Sequence, residues 1–491
     1  MLFVRLRAGF YAKIGYMKLY NTLTKQTEEV VKKDHLNLYT CGPTVYNSAH
    51  IGNLRSYILA DLLYRGLKHE QYNPKWVMNI TDIDDKTIKG AMEKFGASAN
   101  VKNLREFTGV YMTGFLNDLR EVNVSVDDIT FVRVTDVMPQ IQEFILELIT
   151  KGYAYKADDG SVYFSIEKYQ TDFGDYGELV GEKFLEGKKV GARVAVDEYE
   201  KDNLSDFALW KAHNPETDAQ IFWSHPLLGN GRPGWHIECS VINRVAFNGE
   251  ATDIHTGGVD LVFPHHTNEI AQSQAILGKN NFVHHWFHSE HLLVDDKKMA
   301  KRDGKFLVLA DLESKIPLPA LSLRYLFTQS GYRMRQNFTW ESLLGAYKAL
   351  EKLFNTISAH KIIGTGQSEQ GEIVKEYLNR AKKVLDTDLN IPGFVAVLWE
   401  VFGHVGANVR AQDEVMEKLD EVLGFKLTTP PSILENIELP EEVKNLIQER
   451  ETARAEKNFA KSDSLRAEIE ALGFELMDTE KGQKVKKKPQ I

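Results

Sequence analysis

The first apolar runs of the chain predict a strand, a helix and a second strand. LNLYT, which begins at Leu36, favours a strand, and CGPT follows it with turn-forming residues. In SYILADLLYRGLK apolar side chains recur at helical spacing, and KWVMNITDI from Lys75 again favours a strand. Strands joined by a helix run parallel. Ligands bind beyond the carboxyl ends of such strands, where Cys41 and Thr81 fall.

The pattern changes twice farther along the chain. The stretch from Asp158 to Leu204 is rich in glycine and acidic residues and is predicted to be an irregular insertion. ATDIHTGGVDLVF then returns to a strand that ends in a turn, so the sheet is expected to be interrupted and resumed. After about Pro319 helical periodicity dominates, until TTPPSILENIELP indicates a linker before a last small unit. The tail KGQKVKKKPQI is expected to be a solvated end or a contact for phosphate.

Composition narrows the class of protein without identifying it. The chain has 491 residues, of which 43% are hydrophobic and 26% charged, and this fits several globular domains. Its 60 basic and 69 acidic residues give a net charge of −9, which argues against a globally basic nucleic-acid binder but leaves room for local basic patches. No apolar run is long enough for a membrane span. The two cysteines cannot form a disulfide framework, so we expect a protein of the reducing cytoplasm.

The first 16 residues contain three basic residues and no acidic one, as targeting peptides do. They also lack serine and a clear apolar core. Residues 1–16 are therefore expected to be a disordered N-terminal extension.

Candidate metal ligands lie far apart along the sequence. Thiolate, imidazole and carboxylate groups are ligands that zinc accepts in tetrahedral sites. Cys239 lies in GRPGWHIECS, and FPHHTNEIAQ places His265 four residues before Glu269, which on a helix puts both side chains on one face. The alternative for this pair is an ordinary polar face. The position of both cysteines near one edge of the predicted sheet favours a metal site.

Two further segments carry residue types that bind nucleotides. In AHIGN, His50 and Asn53 flank a glycine at a helix start, where free N–H groups and the helix dipole favour phosphate. The simpler interpretation is a capped helix. DDKKMAKRDGKF carries Lys298 and Lys301, which indicates either a solvated loop or a mobile segment that neutralises a triphosphate. The Walker phosphate loop is absent, so a nucleotide would be held in another way.

Together these motifs resemble those of one enzyme family. HIGN and KMAKR resemble the HIGH and KMSKS signatures of the class I aminoacyl-tRNA synthetases. Five longer segments resemble the cysteinyl-tRNA synthetases in particular: TCGPTVYNSAHIGN, NITDIDDK, GRPGWHIECS, DIHTGGVDLVFPHHTNEIAQ and KKMAKRDGKF. The resemblance runs in the family's order from about Met17 to Asp478. Each motif is weak alone, but the set is specific.

The resemblance implies roles for individual residues. It gives as zinc ligands Cys41, Cys239, His265 and Glu269. It assigns catalysis of adenylate formation to His50, Asn53, Lys298 and Lys301. It places around the substrate cysteine and ATP the residues Gly42, Thr44, Gly52, Thr81, Trp235, His255, Gly257, Asp260 and Lys301. Thr81 and Trp235 are expected in the cysteine pocket, and Asp260 near the amino group or the ribose.

The implied fold is α/β: a Rossmann-like parallel-sheet catalytic domain with a connective insertion, followed by a helical bundle and a small C-terminal anticodon-binding domain. The two halves of the catalytic domain are expected at 17–137 and 220–290, with the insertion at 138–219. The remaining units follow in the order KMSKS-like loop and stem-contact region (291–335), helical bundle (336–415), and anticodon-binding domain with a basic tail (416–491).

The chain departs from the family pattern at a few positions. Asn53 replaces the second histidine of HIGH and keeps a hydrogen-bonding side chain. Ala300 and Arg302 replace the two serines of KMSKS, so an active loop with altered kinetics is expected. Val485 lies where the family often has a tryptophan, which affects the expected anticodon contacts.

The implied activity is the charging of tRNA(Cys) with L-cysteine through a cysteinyl-adenylate, by a cytoplasmic monomer that holds one Zn²⁺ and takes ATP with Mg²⁺. Zinc prefers a soft thiolate to a hydroxyl, whereas shape alone separates near-isosteres such as cysteine and serine by only ~10- to 200-fold. A purely structural zinc is the alternative for the metal. For the whole chain the rivals are a cysteine:amino-sugar ligase of thiol cofactor synthesis, which lacks the anticodon-binding end, and a tRNA-binding module without activity.

Overall fold

The computed structural model describes most of the chain. The described residues are 16–181, 189–194, 203–279, 281–298, 306–363, 371–403, 409–429, 439–479 and 482–489. The predicted N-terminal extension, apart from residue 16, and Lys301 lie outside them.

The first part of the chain forms a parallel sheet flanked by helices, which confirms the predicted strand-helix-strand unit. The strands in this part of the chain are β1 (Lys18–Asn21), β2 (Gln26–Glu29), β3 (Leu36–Thr40), β4 (Pro74–Ile80) and β5 (Ile129–Arg133). Its helices are α1 (Ile51–His69), α2 (Asp85–Phe95) and α3 (Val101–Glu121). β3, β4 and β5 pair in parallel, whereas β1 and β2 form a separate antiparallel pair. β3 is buried along its whole length, as expected for a strand covered on both faces.

An insertion then interrupts the parallel sheet, and its own sheet is antiparallel in all but one of the described strand pairs. Its elements are α4 (Met138–Thr150), β6 (Ala154–Lys156), β7 (Val162–Phe164), α5 (Ile166–Phe173), β8 (Lys189–Val194), β9 (Asn203–Ala212), α6 (Pro215–Asp218), β10 (Trp223–His225) and β11 (Gly229–Pro233). The predicted irregular stretch thus contains strands, because short runs such as β7 gain their partners from β9, far along the chain. The sheet continues to Pro233, beyond residue 219, where the insertion was predicted to end.

The parallel sheet resumes after the insertion, as predicted. The elements are α7 (Trp235–Ala246), β12 (Thr252–Gly258), α8 (Thr267–Leu277) and β13 (Val283–Ser289). β12 pairs in parallel with β3 on one side and β13 on the other, and the strand order is β13-β12-β3-β4-β5. The order of strands reverses between β3 and β12. At such a switch point the loops after the two strands diverge and leave a crevice.

The rest of the described chain is mostly helical. Three short strands, β14 (Leu292–Val294), β15 (Lys297–Lys298) and β16 (Gln336–Phe338), form a small sheet. The helices are α9 (Leu309–Glu313), α10 (Pro319–Phe327), α11 (Trp340–Ile363), α12 (Gly371–Leu385), α13 (Ile391–Gly403), α14 (Val409–Leu423), α15 (Glu441–Ala455) and α16 (Phe459–Ala471). None of the described helices combines the length and hydropathy that a membrane span requires.

The lysine-rich tail forms part of a hairpin. Strand β17 (Phe474–Thr479) pairs with β18 (Gly482–Lys487) in an antiparallel ladder. Lys486 is buried, and its Nζ lies 2.8 Å from a carboxylate oxygen of Glu351 on α11. The prediction of a solvated end was therefore wrong for Lys486, whose partner on α11 is 135 residues away in sequence, whereas Lys488 is exposed as predicted.

Residue 416 lies inside α14, so that helix crosses the predicted boundary between the bundle and the last unit. Leu419 and Leu423 of α14 are fully buried in the largest core. A separate small core, built from Val443, Ile469 and Leu476, holds the C-terminal unit together.

Candidate active site

The two cysteines meet at the carboxyl edge of the parallel sheet. Cys41 directly follows β3, and Cys239 lies in the second turn of α7. Both side chains are buried, and their Sγ atoms are 3.7 Å apart. Two thiolates on one tetrahedral zinc lie ~3.8 Å apart, given Zn–S bonds of ~2.3 Å. The two sulfurs are therefore spaced as ligands of one ion.

A close backbone contact holds Cys41 in this position. The N–H of Gly42 donates to Asn79 Oδ1 at 2.7 Å. A Cβ atom on Gly42 would lie 1.7 Å from the carbonyl oxygen of Asn79, so only glycine fits there. The glycine after the first cysteine thus allows the turn to lie directly against β4.

His265 and Glu269 complete a group of four donors. His265 lies in the turn before α8 and Glu269 in the first turn of that helix. His265 Nε2 is 3.4 Å from Cys239 Sγ and 3.1 Å from Glu269 Oε1. Cys41 Sγ is 3.9 Å from the same oxygen. These separations are close to the edges of a tetrahedron around zinc, so the donor set fits a metal ion.

A second set of four donors overlaps the first, because His255 and His266 also converge with Cys41 and Glu269. His255 Nε2 is 3.0 Å from Glu269 Oε2, and its buried Nδ1 has no hydrogen-bond partner among the described residues. Glu269 is a carboxylate acceptor, so Nε2 of His255 carries a hydrogen and donates it to Oε2. His255 is thereby a donor that orients Glu269, as partners of metal-bound carboxylates do.

The ring of His266 is fixed by a chain of imidazoles. Its Nδ1 lies 2.7 Å from His288 Nε2, and His288 Nδ1 lies 2.8 Å from Thr22 Oγ1. Burial lowers the pKa of His266 and lowers that of His288 to about 3, so both rings are neutral near pH 7. His266 Nε2 lies 3.3 Å from Cys41 Sγ, at the end of this chain. The repeated histidine of FPHHTNEIAQ and the histidines of VHHWFHS are the sequence signals that could have found these two residues.

The charges within the donor group are complementary. Burial alone would raise the pKa of Cys239, but hydrogen bonding to Cys41 and the nearby His265 bring it to about 6. Burial opposes a charge on His265 as well, yet Cys239 and Glu269 raise its pKa to about 10. Despite burial, His255 and His265 lower the pKa of Glu269 to about 2. Burial raises the pKa of Cys41. Cys239 and Glu269 are thus the anionic members of the group, and two negative charges at one centre favour a cation there.

A cavity of about 210 Å³ opens beside this group, at the switch point between β3 and β12. Cys41 forms part of its wall, so a bound molecule can reach the donor group. The cavity is also lined by six of the predicted binding and catalytic residues: Gly42, Thr44, Asn53, Trp235, Gly257 and Asp260. Trp235 stacks on His265 with ring centroids 4.3 Å apart, so the indole covers that imidazole on one face. The wall also contains residues that the sequence did not single out, namely Ser56, Tyr57, Thr256, Phe287 and Ser289.

A second cavity, of about 130 Å³, adjoins the first. The two cavities share as wall residues Asn53, Ser56, Gly258, Asp260 and Ser289. The predicted residues His50 and Gly52 line the second cavity, together with Glu290 and His291. An elongated ligand can therefore place one part beside the donor group and another part over the start of α1.

His50 and Asn53 hold the start of α1 between them. His50 Nδ1 accepts a hydrogen bond from the Asn53 N–H at 3.0 Å, and Asn53 Oδ1 accepts from the His50 N–H at 3.2 Å. The two residues thus form the helix cap that the simpler interpretation predicts. Because Nδ1 accepts, the neutral imidazole carries its proton on Nε2. Asn53 keeps its Nδ2 as a donor, so His50 and Asn53 together bring two side-chain donors to the helix start. The backbone N–H groups of Ile51 and Asn53 are already used, by the Leu307 carbonyl and by His50 Nδ1.

The remaining predicted residues are placed differently. Thr81 and His255 are almost completely buried and line neither cavity. The Thr81 hydroxyl donates instead to Glu238 Oε2 at 2.7 Å. For Lys298 only the backbone is described, in β15, and Lys301 lies outside the described residues.

Two protein-family models match the chain. The model described as "tRNA synthetases class I (C) catalytic domain" matches residues 27–348. The model described as "Cysteinyl-tRNA ligase anticodon binding domain" matches residues 437–485, the unit with its own small core.

Curated relatives match along nearly the whole chain. The cysteine–tRNA ligase of Chlamydia caviae is 41% identical over 484 residues, which cover 96% of this chain and 97% of the relative. The cysteine–tRNA ligase of Chlamydia pneumoniae is 40% identical, and the match covers 97% of this chain and 99% of the relative. The cysteine–tRNA ligase of Protochlamydia amoebophila is also 40% identical, and the match covers 96% of this chain and 98% of the relative.

Solved structures of low identity share the fold. A methionyl-tRNA synthetase of Mycobacterium tuberculosis, bound by methionyl-adenylate, has a TM-score of 0.52 at 12% identity, over 79% of this chain and 90% of that one. The LeuRS of Agrobacterium radiobacter K84 has a TM-score of 0.55 at 10% identity, over 81% of this chain and 84% of that one. The fold is that of the class I aminoacyl-tRNA synthetases. Within that class, the catalytic-domain model and the identities of 40% and above show that the chain belongs to the cysteinyl-tRNA synthetase family.

Proposed function

We propose that this protein is a cysteine–tRNA ligase that activates L-cysteine with ATP and transfers it to the 3′ end of tRNA(Cys). The observation that carries the proposal is the double position of Cys41, which belongs to the metal-donor group and also to the cavity wall. A substrate thiol in that cavity would lie beside the donors. Its carboxylate would lie toward the second cavity and the start of α1.

We further propose that the four donors hold a zinc ion: Cys41, Cys239, His265 and Glu269. Their separations and their mixture of sulfur, nitrogen and oxygen atoms support this ion. When bound, zinc ligates a thiolate far better than a hydroxyl, and this supplies a criterion against serine. Around the group, His255 would hold the Glu269 carboxylate and Trp235 would shield His265 from water.

In the first step a cysteine carboxylate oxygen attacks the α-phosphorus of ATP, and the bond from that phosphorus to the pyrophosphate oxygen breaks. His50 Nε2–H and Asn53 Nδ2 would donate to phosphate oxygens at the helix start, where developing negative charge is stabilised. Asp260, which lines both cavities, would bind the cysteine ammonium group or the ribose. Lys298, Lys301 and the Mg²⁺ that accompanies ATP would neutralise the triphosphate.

In the second step a terminal ribose hydroxyl of tRNA(Cys) attacks the carbonyl carbon, and AMP leaves while the hydroxyl proton is released. No protein nucleophile is needed, because the adenylate is already an activated acyl group held in place. Residues 437–485 would bind the anticodon end, in keeping with their family match. We propose that the enzyme works as a monomer in the cytoplasm.

Two assays test the function. Cysteine-dependent exchange of pyrophosphate into ATP measures the first step, and charging of tRNA(Cys) measures both steps. A matched variant ends after Thr429, which keeps the buried α14 intact, and it should retain exchange while losing most charging. Exchange that depends on another amino acid would contradict the proposal. Exchange without charging by the full-length chain would favour the cysteine:amino-sugar ligase.

A further inference from the structure

A buried chain of hydrogen bonds connects the residues beside the two cysteines. The N–H of Gly42, the residue after the first cysteine, donates to Asn79 Oδ1 at 2.7 Å. Asn79 Nδ2 donates to Thr81 Oγ1 at 3.1 Å, and the Thr81 hydroxyl donates to Glu238 Oε2 at 2.7 Å. Glu238 is the residue before the second cysteine. The chain therefore crosses from the turn after β3, through the end of β4, to α7.

Each contact in this chain has one possible direction. A backbone N–H can only donate, so Asn79 turns its carbonyl oxygen to Gly42 and its amide group to Thr81. The Thr81 hydroxyl accepts from that amide and gives its own hydrogen to Glu238. Position 238 must therefore supply an acceptor.

The β4 side of the chain is rigidly held. The Thr81 N–H donates to the carbonyl of Pro43, and the Val45 N–H donates to the carbonyl of Thr81, both at 3.1 Å. On the α7 side the hydrogen-bond chain reaches Glu238, whose side chain is fully buried. The contact from Thr81 to Glu238 is thus the point where the fixed turn meets the helix that carries Cys239.

We propose that Glu238 is a positioning residue that sets the distance between Cys41 and Cys239, and through it the affinity of the donor group for its metal and for the substrate thiol. This inference rests on the proposed function. Metal–ligand distances in such sites fall within about 0.2 Å of their usual values, so the spacing of the two sulfurs matters for binding. A hydrogen bond to a ligand side chain is worth about 10- to 100-fold in metal affinity. The lower end of that range applies here, because Gly42 and Glu238 are the sequence neighbours of the two cysteines and not ligands themselves.

The test compares four single variants of the full-length chain. Glu238→Leu removes the acceptor, and Glu238→Gln keeps a carbonyl oxygen in its place. Thr81→Val removes the donor hydroxyl with little change of volume. Thr135→Val is the matched control, because the Thr135 hydroxyl also donates to a buried carboxylate, Asp82, at 2.6 Å, but lies outside the chain to the cysteines.

Zinc affinity is measured by competition with a chromogenic chelator, and the Michaelis constants for cysteine and ATP by pyrophosphate exchange. We expect Glu238→Leu and Thr81→Val to lower zinc affinity about tenfold or more and to raise KM for cysteine while KM for ATP changes less than about twofold. Glu238→Gln and Thr135→Val should stay near the wild type. A general loss of folding would instead reduce the amount of active enzyme, so it would lower the maximal exchange rate and leave both Michaelis constants unchanged.

Wild-type zinc affinity in both Glu238→Leu and Thr81→Val would overturn the inference. If Glu238→Leu does not fold, Thr81→Val decides alone. A wild-type chain that binds no zinc would contradict the proposed metal site itself, so the two failures are distinguishable.

Discussion

The Sγ atoms of Cys41 and Cys239 lie 3.7 Å apart although 198 residues separate the two cysteines. The turn after β3 supplies one sulfur and α7 supplies the other, and the whole insertion lies between them in sequence. His265 and Glu269 approach from a third element, the turn and first residues of α8. The donor group therefore forms only when the parallel sheet has closed around the insertion.

Replacing Cys239 with serine tests this group. Cys239→Ser exchanges a soft sulfur for a hard oxygen, so zinc affinity should fall by more than the ~10- to 100-fold caused by loss of an outer-shell partner. Preference for cysteine over serine should fall toward the ~10- to 200-fold that shape alone provides. Metal content after dialysis and pyrophosphate exchange with each amino acid measure the two effects. Ser240→Ala, at the next buried position, should change neither. Full zinc occupancy in Cys239→Ser would exclude it as a ligand.

Two variants of His50 distinguish its role as the N-cap of α1 from its proposed role as a hydrogen-bond donor to ATP. His50→Ala loses the acceptor for the Asn53 N–H, which should cost about 0.5–2 kcal/mol of stability. It also loses the Nε2 donor, and one such donor to a developing charge is worth ~10²- to 10³-fold in rate. Asparagine is a good N-cap, so His50→Asn should restore stability while exchange stays slow. Thermal unfolding and pyrophosphate exchange check the two halves, and a normal exchange rate in His50→Asn would rule out the donor role.

The parts that the sequence predicted correctly are those with local signals. β3 and α1 have apolar periodicity within a few residues, and the CGPT turn shows where β3 ends. The spacing of His265 and Glu269 is likewise local, because one helical turn brings them together. That these two residues lie beside the two cysteines could be predicted only from the resemblance to a family with the same order of motifs.

The parts that the sequence missed depend on distant partners. Strands β6 and β7 have three residues each, too few for a periodic pattern, and exist because β7 pairs with β9. From the sequence alone Lys486 is predicted to be a solvated charge, but in the structure it pairs with Glu351 of α11. Thr81 lines neither described cavity, and its hydroxyl donates to the buried carboxylate of Glu238, 157 residues away in sequence. Such side-chain partners carry no periodic signal.

A buried ion pair connects α1, which flanks the parallel sheet, to α10. Arg324 Nη2 on α10 lies 2.5 Å from Asp61 Oδ2 on α1, and neither side chain is exposed. Arg324 also donates to the carbonyl of Leu423 at the end of α14, and Arg65 donates to Asp61 at 2.7 Å. Burial alone would raise the pKa of Asp61, but Arg324 and Arg65 lower it, so the carboxylate is charged.

Arg324→Leu should therefore be strongly destabilising. Removing one partner of a buried pair costs about 3–5 kcal/mol, and the lower end is expected here because Arg65 stays beside Asp61. Urea unfolding measures the change. Arg380→Leu is the control, since its pair with Glu400 is exposed and should be worth less than about 1 kcal/mol. Equal losses in the two variants would mean that burial of the pair has no special effect.

Asp118 on α3 should make stability depend on pH in the direction opposite to most carboxylates. Burial, followed by the nearby charges of Glu121 and Glu313, raises the pKa of Asp118 to about 6. The folded protein then keeps this proton at pH values where the unfolded chain, with a pKa of about 4, has lost it. The side chain therefore favours the folded state at low pH, and this contribution is lost as pH rises through about 6.

Asp118→Asn removes that titration, so the variant should be more stable than the wild type at about pH 7.5 and should lose the advantage by about pH 4. The difference should stay below about 1 kcal/mol, because the half-exposed side chain is screened by solvent. Asp172→Asn provides a control of opposite sign, since hydrogen bonds from Lys168 and Tyr153 lower the pKa of Asp172. It should be less stable than the wild type at about pH 7.5. Differential scanning calorimetry at both pH values measures these changes, and an Asp118→Asn advantage of equal size at each would contradict the raised pKa.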